Sequence, residues 1–460
     1  MFAPKELSAK LALLIGGDFA LSVATVYLLS AGDGPLGGYL VEPYFVAPIV
    51  GLLYVCALYF QDLYALERHP RSPYWIVAAT LGATAEVSLL LMLVGTLAPS
   101  LNLGAAFYVA NTMIAGSSLV AWRVFAHHFL FKRLGIGVMA LGLGETGPML
   151  AEEITRRGHL GYSFLGYAAT AGETDKPFES EQRRRNDPVP LHRASSVSEL
   201  ATRLPVDILV VLDPAASVRE LIRCRMQGTE VLDFYSFYER LTGRLPVAIL
   251  DERWLLASGG SLHSRFRRAI KRAIDLAAAT ALALLALPLA LATAIAIKLD
   301  SEGPILYSQE RVGLDGKVFR VYKFRSMRQD AERTTGAVWA IEGDPRVTRV
   351  GRLIRRLRID ELPQLINVFK GEMSLIGPRP ERPEMVSKVL EAMPLYEYRH
   401  FVRPGLTGWA QVCYPYGASI EDTRQKLAYD LYYIKNWTLT LDLQIMLQTS
   451  KVVLFGRGAR

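Results

Sequence analysis

The sequence predicts a multi-domain membrane protein: a four-helix transmembrane bundle, a Rossmann-like α/β domain, and a second α/β domain that carries a re-entrant membrane helix. Three observations predict it. Apolar stretches of membrane-crossing length crowd the start of the chain. A strand, a glycine-spaced turn and a helix follow Gly135. An uncharged run from Leu276 to Ile297 has Pro288 at its middle and basic residues at both ends. The expected boundaries are 1–133, 134–260 and 261–460.

The first part holds four apolar stretches, Leu11–Ala31, Phe45–Phe60, Tyr74–Leu97 and Ala105–Trp122. A helix needs about 20 such residues to cross the hydrocarbon core, so the second is short. Lys5 and Lys10 precede the first stretch, Arg68 and Arg71 lie in the second connector, and Arg123, Lys132 and Arg133 follow the fourth. The other two connectors hold no Lys or Arg, so the positive-inside rule places both ends of the bundle in the cytoplasm. The first stretch lacks a small-residue cleavage site and more spans follow it, so no cleavable signal is expected. Asp18 and Glu86 lie inside spans, where an acid is a functional candidate by default. No chain of acids marks a transport path, so each is expected to face a neighbouring helix.

Composition narrows the partners. Of 460 residues, 51% are hydrophobic, and the net charge of +8 suits phospholipid head groups, nucleotides or polyanions. No aromatic-interleaved basic strip or zinc-finger spacing favours nucleic acid. Cys56, Cys224 and Cys413 stand too far apart to indicate a disulfide framework or a metal cluster, which fits a reducing, cytoplasm-facing location.

In the middle domain, Ile136–Leu141 reads as a strand. It runs into Gly142, Gly144 and Gly147 in G-x-G-x-x-G spacing and then the helix Met149–Arg156, the context of a dinucleotide fingerprint. Further strands are expected at Phe164–Ala168, Asp207–Leu212 and Val231–Phe234, with a loose polar connection from Gly172 to Leu191. The acid that should end the second strand and bind a ribose is missing. Ala168, Ala169 and Thr170 stand there, and Glu173 and Asp175 come later. The expectation is a Rossmann-type fold with an empty or altered crevice, since the fold alone does not confer the function.

In the third domain, Arg265, Arg267, Arg268, Lys271 and Arg272 precede the uncharged run and Lys298 follows it. Pro288 removes a backbone hydrogen bond and is expected to break or bend the helix. The run is therefore expected to dip into one leaflet and return, its broken backbone satisfied by protein; a true span is the alternative its length allows. A strand is expected at Val318–Phe324 after an Asp315-Gly316 turn, presenting Lys323 and Arg325 on one face.

Arg352, Arg355, Arg356 and Arg358 then lead into Asp360-Glu361. Leu362, Leu365, Ile366 and Phe369 fall at the spacing of a helix with one buried face, beginning near Asp360 because Pro363 is tolerated only in a first turn. Arginines beside adjacent carboxylates suit a phosphate ester and a divalent cation. Guanidinium groups hold phosphate oxygens bidentately, and carboxylates supply metal ligands or a nucleophile. The plainer reading is a capped helix with a solvated basic face. The C-terminal segment, Tyr432–Phe455, is amphipathic and either lies on the membrane surface or packs on this domain.

Lys271-Arg272 with Asp275, Ser301–Pro304 with Gln309, Arg311 and Gly313, Lys323–Met327, Asp360–Gln364, Asn367–Pro380 and Val402–Gln411 stand in order. Together they resemble the bacterial polyprenyl-phosphate hexose-1-phosphate transferases, the large members of the monotopic phosphoglycosyl transferase family, over the whole chain. The stretch from Tyr414–Gly417 through Gly456–Ala459 looks most like exopolysaccharide sugar transferases of the exosortase-associated type.

The resemblance implies a multi-pass protein of the bacterial inner membrane with its catalytic domain facing the cytoplasm. It implies transfer of hexose-1-phosphate from a UDP-hexose to undecaprenyl phosphate, releasing UMP, as the priming step of exopolysaccharide or O-antigen synthesis. It further implies Asp360 as nucleophile, Glu361 as the partner that helps position Mg²⁺, and Lys323, Arg355, Arg379 and Asp430 as substrate-binding residues. The strand reading adds Arg325. No catalytic position departs from the family pattern.

Expected partners are UDP-hexose, undecaprenyl phosphate and membrane lipids, with a homodimer open through the bundle or the middle domain. A ping-pong route through a phosphosugar on Asp360 competes with direct attack in a ternary complex, where Asp360 would be a general base. Two readings of other classes are a membrane-tethered nucleotide-binding regulator and a nucleotide-sugar oxidoreductase. The basic–acidic constellation after Val318 speaks against the first and the missing ribose acid against the second. Glucose and galactose both stay open, because no motif is read as contacting the sugar hydroxyls.

Overall fold

The apolar stretches at the start of the chain fold as four helices: α1 (Lys5–Ser30), α2 (Pro43–Phe60), α3 (Pro73–Leu97) and α4 (Ala105–Phe125). The computed structural model describes residues 5–30, 43–64, 73–98, 104–130, 135–142, 146–158, 161–169, 189–193, 196–213, 216–250, 264–328, 346–414, 417 and 419–455. By length and composition α1, α3 and α4 can cross a membrane, whereas α2 is the short one. The buried faces meet in one core that includes Leu14, Val26, Tyr54, Leu58, Val87 and Leu119. Asp18 is buried within the bundle, where its Oδ2 accepts from the Tyr64 hydroxyl at 2.8 Å and from Arg123 Nη2 at 2.5 Å. Glu86 instead lies on an exposed face, where Gln61, just past the end of α2, donates to it at 2.5 Å.

A five-stranded parallel sheet follows, built from β1 (Ile136–Leu141), β2 (Tyr162–Ala169), β3 (Leu191–Arg193), β4 (Ile208–Val211) and β5 (Glu230–Asp233) in the order β3-β2-β1-β4-β5. Its helices are α5 (Gly147–Arg156), α6 (Val197–Arg203), α7 (Val218–Met226) and α8 (Phe234–Thr242). Strands covered on both faces read as unbroken apolar runs. Val138 and Ala140 enter one core with Leu150 and Phe237, while Met139 and Leu141 enter the other with Leu209 and Cys224. Gly142 sits at φ 96°, and a Cβ there would stand 2.8 Å from that of Asp213, so only glycine fits this turn. The edge strand β3 begins where a loose connection was expected to end; three residues are too few to show a period. Gly144, Glu173 and Asp175 lie outside the described residues.

The chain divides into compact units between Leu241 and Thr242, earlier than the expected 260/261 boundary. Residues 242–250 fold onto the second unit: Leu245 N donates to Ala428 O at 3.0 Å, and Trp409 Nε1 to Gly243 O at 2.8 Å.

Within that unit, α9 (Arg265–Asp300) continues as helix over 36 residues with Pro288 inside it, so of the break or bend expected there the break does not occur. One lost hydrogen bond is outweighed by the Ala- and Leu-rich turns on both sides. An antiparallel hairpin follows, β6 (Leu306–Val312) and β7 (Val318–Phe324), turned by Asp315 and Gly316 at positive φ. The remaining elements are α10 (Arg349–Arg356), α11 (Leu365–Lys370), β8 (Ser374–Ile376), α12 (Pro383–Ala392), β9 (Gly405–Thr407), α13 (Trp409–Cys413), α14 (Ile420–Lys435) and α15 (Leu439–Phe455).

The parallel pair β8–β9 brings two loops into backbone contact. A Cβ on Gly405 would stand 2.0 Å from Gly377 N, and one on Gly408 2.1 Å from Gly377 O. The segment Tyr432–Phe455 is two helices, not one. The second, α15, buries Leu441 and Ile445 and leaves Leu439, Leu443 and Leu447 exposed. Its Asp442 accepts from Tyr433, Trp437 and Lys271 at 2.8–2.9 Å.

Candidate functional site

The acid pair is reached through a chain reversal. The Thr348 hydroxyl caps α10 by accepting from Gly351 N at 2.9 Å, and the helix ends at Arg356. Arg358 then takes a left-handed conformation, φ 58°, a strained choice for a residue with a side chain. Ile359–Gln364 follows as a 3₁₀ turn with Pro363 inside it, so the α-helix expected near Asp360 starts only at Leu365. The tighter turn also shifts the helical phase. Leu365 and Val368 are buried, but Ile366 and Phe369 are 42% and 43% exposed rather than on the expected inner face. Asn367 takes an inner position and ties α11 to β7, donating to Arg320 O at 2.7 Å and accepting from Tyr322 N at 3.2 Å.

Asp360 and Glu361 are nearly buried, at 8% and 9% exposure. Glu361 Oε1 lies 2.8 Å from Lys323 Nζ, 3.4 Å from Arg379 Nη2 and 3.9 Å from Arg358 Nη1. Burial alone would raise its pKa, but these three cations together hold Glu361 well below the ordinary carboxylate range. Asp360 moves the other way. Burial and then the Glu361 charge push it up, against the pull of Lys323, Arg358 and Arg355. Its Oδ1 is buried and accepts no hydrogen bond among the described residues.

Arg379 is held from two sides. Its Nη1 donates to Gln411 Oε1 at 3.1 Å, and its carbonyl accepts from Arg399 Nη2 at 2.8 Å. Arg399 is itself buried, paired to Asp430 at 2.9 Å and donating to the Tyr396 hydroxyl. Burial pushes the Asp430 carboxyl up to about 6 despite Arg399.

Of the residues expected in the site, the fold thus gathers Asp360, Glu361, Lys323 and Arg379, with Arg355 acting on Asp360 through its charge. Asp430 stands behind Arg379, one arginine removed. Arg325 does not join them. Its fork donates to Ser301 O, Ser301 Oγ and Glu302 O at 2.7–2.9 Å, because the carbonyls at the end of α9 are strong acceptors for a cation. Arg399 carried no signal in the sequence, and Gln411 only its place in the Val402–Gln411 segment.

Comparison with known proteins fits this geometry. Residues 266–456 match the family model described as bacterial sugar transferase. The chain is 50% identical over 242 residues, 53% of this chain and 56% of the relative, to the UDP-N-acetylgalactosamine-undecaprenyl-phosphate N-acetylgalactosaminephosphotransferase of Aeromonas hydrophila. It is 47% identical over 194 residues to the undecaprenyl-phosphate glucose phosphotransferase of Komagataeibacter xylinus, covering 41% of this chain and 36% of that one. The chain therefore spans only about half or less of the length of these two curated relatives. It covers 92% of the exopolysaccharide production protein PSS of Rhizobium leguminosarum bv. phaseoli, at 41% identity over 185 residues, 39% of this chain. With that coverage and the conjunction of acid pair and cations in the matched region, the chain belongs to the bacterial sugar transferase family.

Proposed function

We propose that this protein transfers sugar-1-phosphate from a UDP-sugar to undecaprenyl phosphate at the cytoplasmic face of a bacterial inner membrane, releasing UMP. The observation that carries the reading is the asymmetry of the acid pair. Among the described residues Glu361 takes the direct cation contacts, while Asp360 beside it takes none yet lies in the field of Lys323, Arg358 and Arg355. Such a site has a fixed anchor, a carboxylate placed to react, and several cations converging where a phosphate would sit.

Asp360 attacks the phosphorus bonded to the sugar. The bond from that phosphorus to the bridging oxygen breaks, and its electron pair leaves with UMP. An ionised phosphate oxygen of the lipid then attacks the same phosphorus, and the bond to Asp360 breaks to restore the carboxylate. Lys323, Arg358 and Arg379 stabilise charge on the transferring group, which is most of what phosphoryl transfer asks of a protein. Mg²⁺ is commonly held by one or two carboxylates plus substrate phosphates, and Asp360 and Glu361 match that donor set, with Asp360 Oδ1 lacking a hydrogen bond among the described residues. When bound, it supplies neutralisation of phosphate charge.

The membrane part of the proposal rests on α9. Its first half is tied to the unit by Arg272 on the Val368 and Phe369 carbonyls and by Asp275 on Ser374. Its last turns are tied by Ile297 against Phe324 and Ile354 and by Asp300 on Val350 N. Between them, no residue from 280 to 292 is buried. A straight helix would separate Asp275 from Ile297 by about 33 Å, the thickness of a bilayer core. Both anchors nonetheless sit on one compact unit, which supports a middle that enters lipid and ends that stay at one face. In a cysteine-free background, cysteines at Ser264 and Leu299 should react with an impermeant maleimide from the same side; reaction from opposite sides would make α9 a true span.

The direct test of the activity is purified protein with undecaprenyl phosphate, Mg²⁺ and a panel of UDP-sugars, following UMP. The panel includes UDP-N-acetylgalactosamine and UDP-glucose, since relatives are named for both sugars. Labelled UMP should exchange into UDP-sugar without lipid. No exchange by protein that completes the full reaction would replace the covalent route with a ternary complex.

A further inference from the structure

We propose that Gln411 belongs to this site as a phosphate-binding residue, its amide Nε2 donating to an oxygen of the transferring group. The inference rests on the transfer reading above. A guanidinium only donates, so the oxygen of the Gln411 amide must be the atom that meets Arg379 Nη1 at 3.1 Å. That bond, not an arbitrary choice of flip, sets which way the amide points. Nε2 is therefore forced to the opposite edge, where it is buried and has no hydrogen-bond partner among the described residues. Its place is the junction of the two backbone-to-backbone loops: a Cβ at Gly408 would stand 3.7 Å from Nε2 and 2.1 Å from Gly377 O.

The guanidinium that meets Gln411 also reaches Glu361 at 3.4 Å, so a single side chain links the amide to the acid pair. Lys323, Arg358 and Arg379 supply charge there. A neutral, rigidly aimed donor adds direction, which a point charge does not. A buried donor is costly unless an acceptor meets it, and the transferring group brings phosphate oxygens to the site.

Gln411→Glu separates this role from a positioning role. It keeps an oxygen for Arg379 and the same shape, but it replaces the donor with a carboxylate oxygen. Full-length wild type, Gln411→Glu and Gln411→Leu are assayed with undecaprenyl phosphate, Mg²⁺ and the UDP-sugar the wild type turns over. We expect kcat/KM to fall about 10- to 100-fold in Gln411→Leu and at least as far in Gln411→Glu, with melting temperature nearly unchanged in the latter. Gln411→Glu at wild-type kcat/KM overturns the proposal and leaves Gln411 only a positioning residue for Arg379. If Gln411→Leu does not fold, the near-isosteric Glu variant alone decides. A wild type inactive on every UDP-sugar overturns the transfer reading and this inference with it, whereas an active wild type beside an unimpaired Glu variant overturns this inference alone.

Discussion

Two buried acids paired with arginine lie in different parts of the molecule, one in the helical bundle and one in the sugar-transferase region. In the bundle, Asp18 meets one arginine, Arg123, and one hydroxyl, Tyr64, so its charge is balanced. In the transferase region, four cations, Lys323, Arg355, Arg358 and Arg379, act on the adjacent acids Asp360 and Glu361. An unbonded oxygen does not distinguish the two, because Asp18 Oδ1 and Asp360 Oδ1 are both buried without a partner among the described residues. The number of cations gathered around the acids does. A neutral pair in apolar surroundings holds helices in register, whereas several cations around a carboxylate suit an incoming anion.

The comparison breaks most visibly at Asp360. Asp360→Asn should lower sugar-phosphate transfer on the order of 10⁴-fold while the melting temperature stays level or rises, since it removes a buried charge that has no direct cation partner among the described residues. A large fall in stability would mean that Asp360 is structural, like Asp18. The reverse pattern is expected for Asp18→Asn. Turnover per folded molecule should stay within about twofold, and unfolding stability should drop by about 3–5 kcal/mol, because Arg123 is left buried and unpaired. Denaturant unfolding in micelles, run beside the transfer assay, checks both.

Arg325 sharpens the contrast between binding and bracing. Arg325→Ala should cost about 2 kcal/mol of stability through the lost carbonyl bonds and leave KM for the UDP-sugar unchanged. A raised KM with normal stability would restore it to the substrate site.

The smallest effect is expected from pH. Asp430 titrates at about 6 when folded against 3.8 for a free carboxyl, with burial raising it, Arg399 and Lys426 opposing, and Glu381 adding to the rise. The folded unit therefore binds more protons than the unfolded chain between those values, and stability falls as pH rises through that window, by at most about 1.4 kcal/mol per pH unit. Asp430→Asn should remove that part of the slope. An unchanged slope in the variant would show that Asp430 ionises normally.

Much of the architecture was legible because burial and secondary structure follow neighbours within a turn or two. Run length marked the apolar helices, unbroken apolar strands marked the parallel sheet, and β1 and β7 fall at the residues their patterns indicate. The acid pair was equally plain, being adjacent in the chain. Its partners were a different matter. Lys323 and Arg379 reach Glu361 from 38 and 18 residues away, and Arg399 and Gln411 act on Arg379 across 20 and 32. The left-handed turn at Arg358 and the glycine contact of Gly377 with Gly405 and Gly408 decide which of many arginines arrive. By the same route Arg325 was drawn off to the end of α9. Local periodicity holds no information about such meetings, since they depend on where the backbone reverses and how closely two loops can approach, and only the tertiary structure settles that.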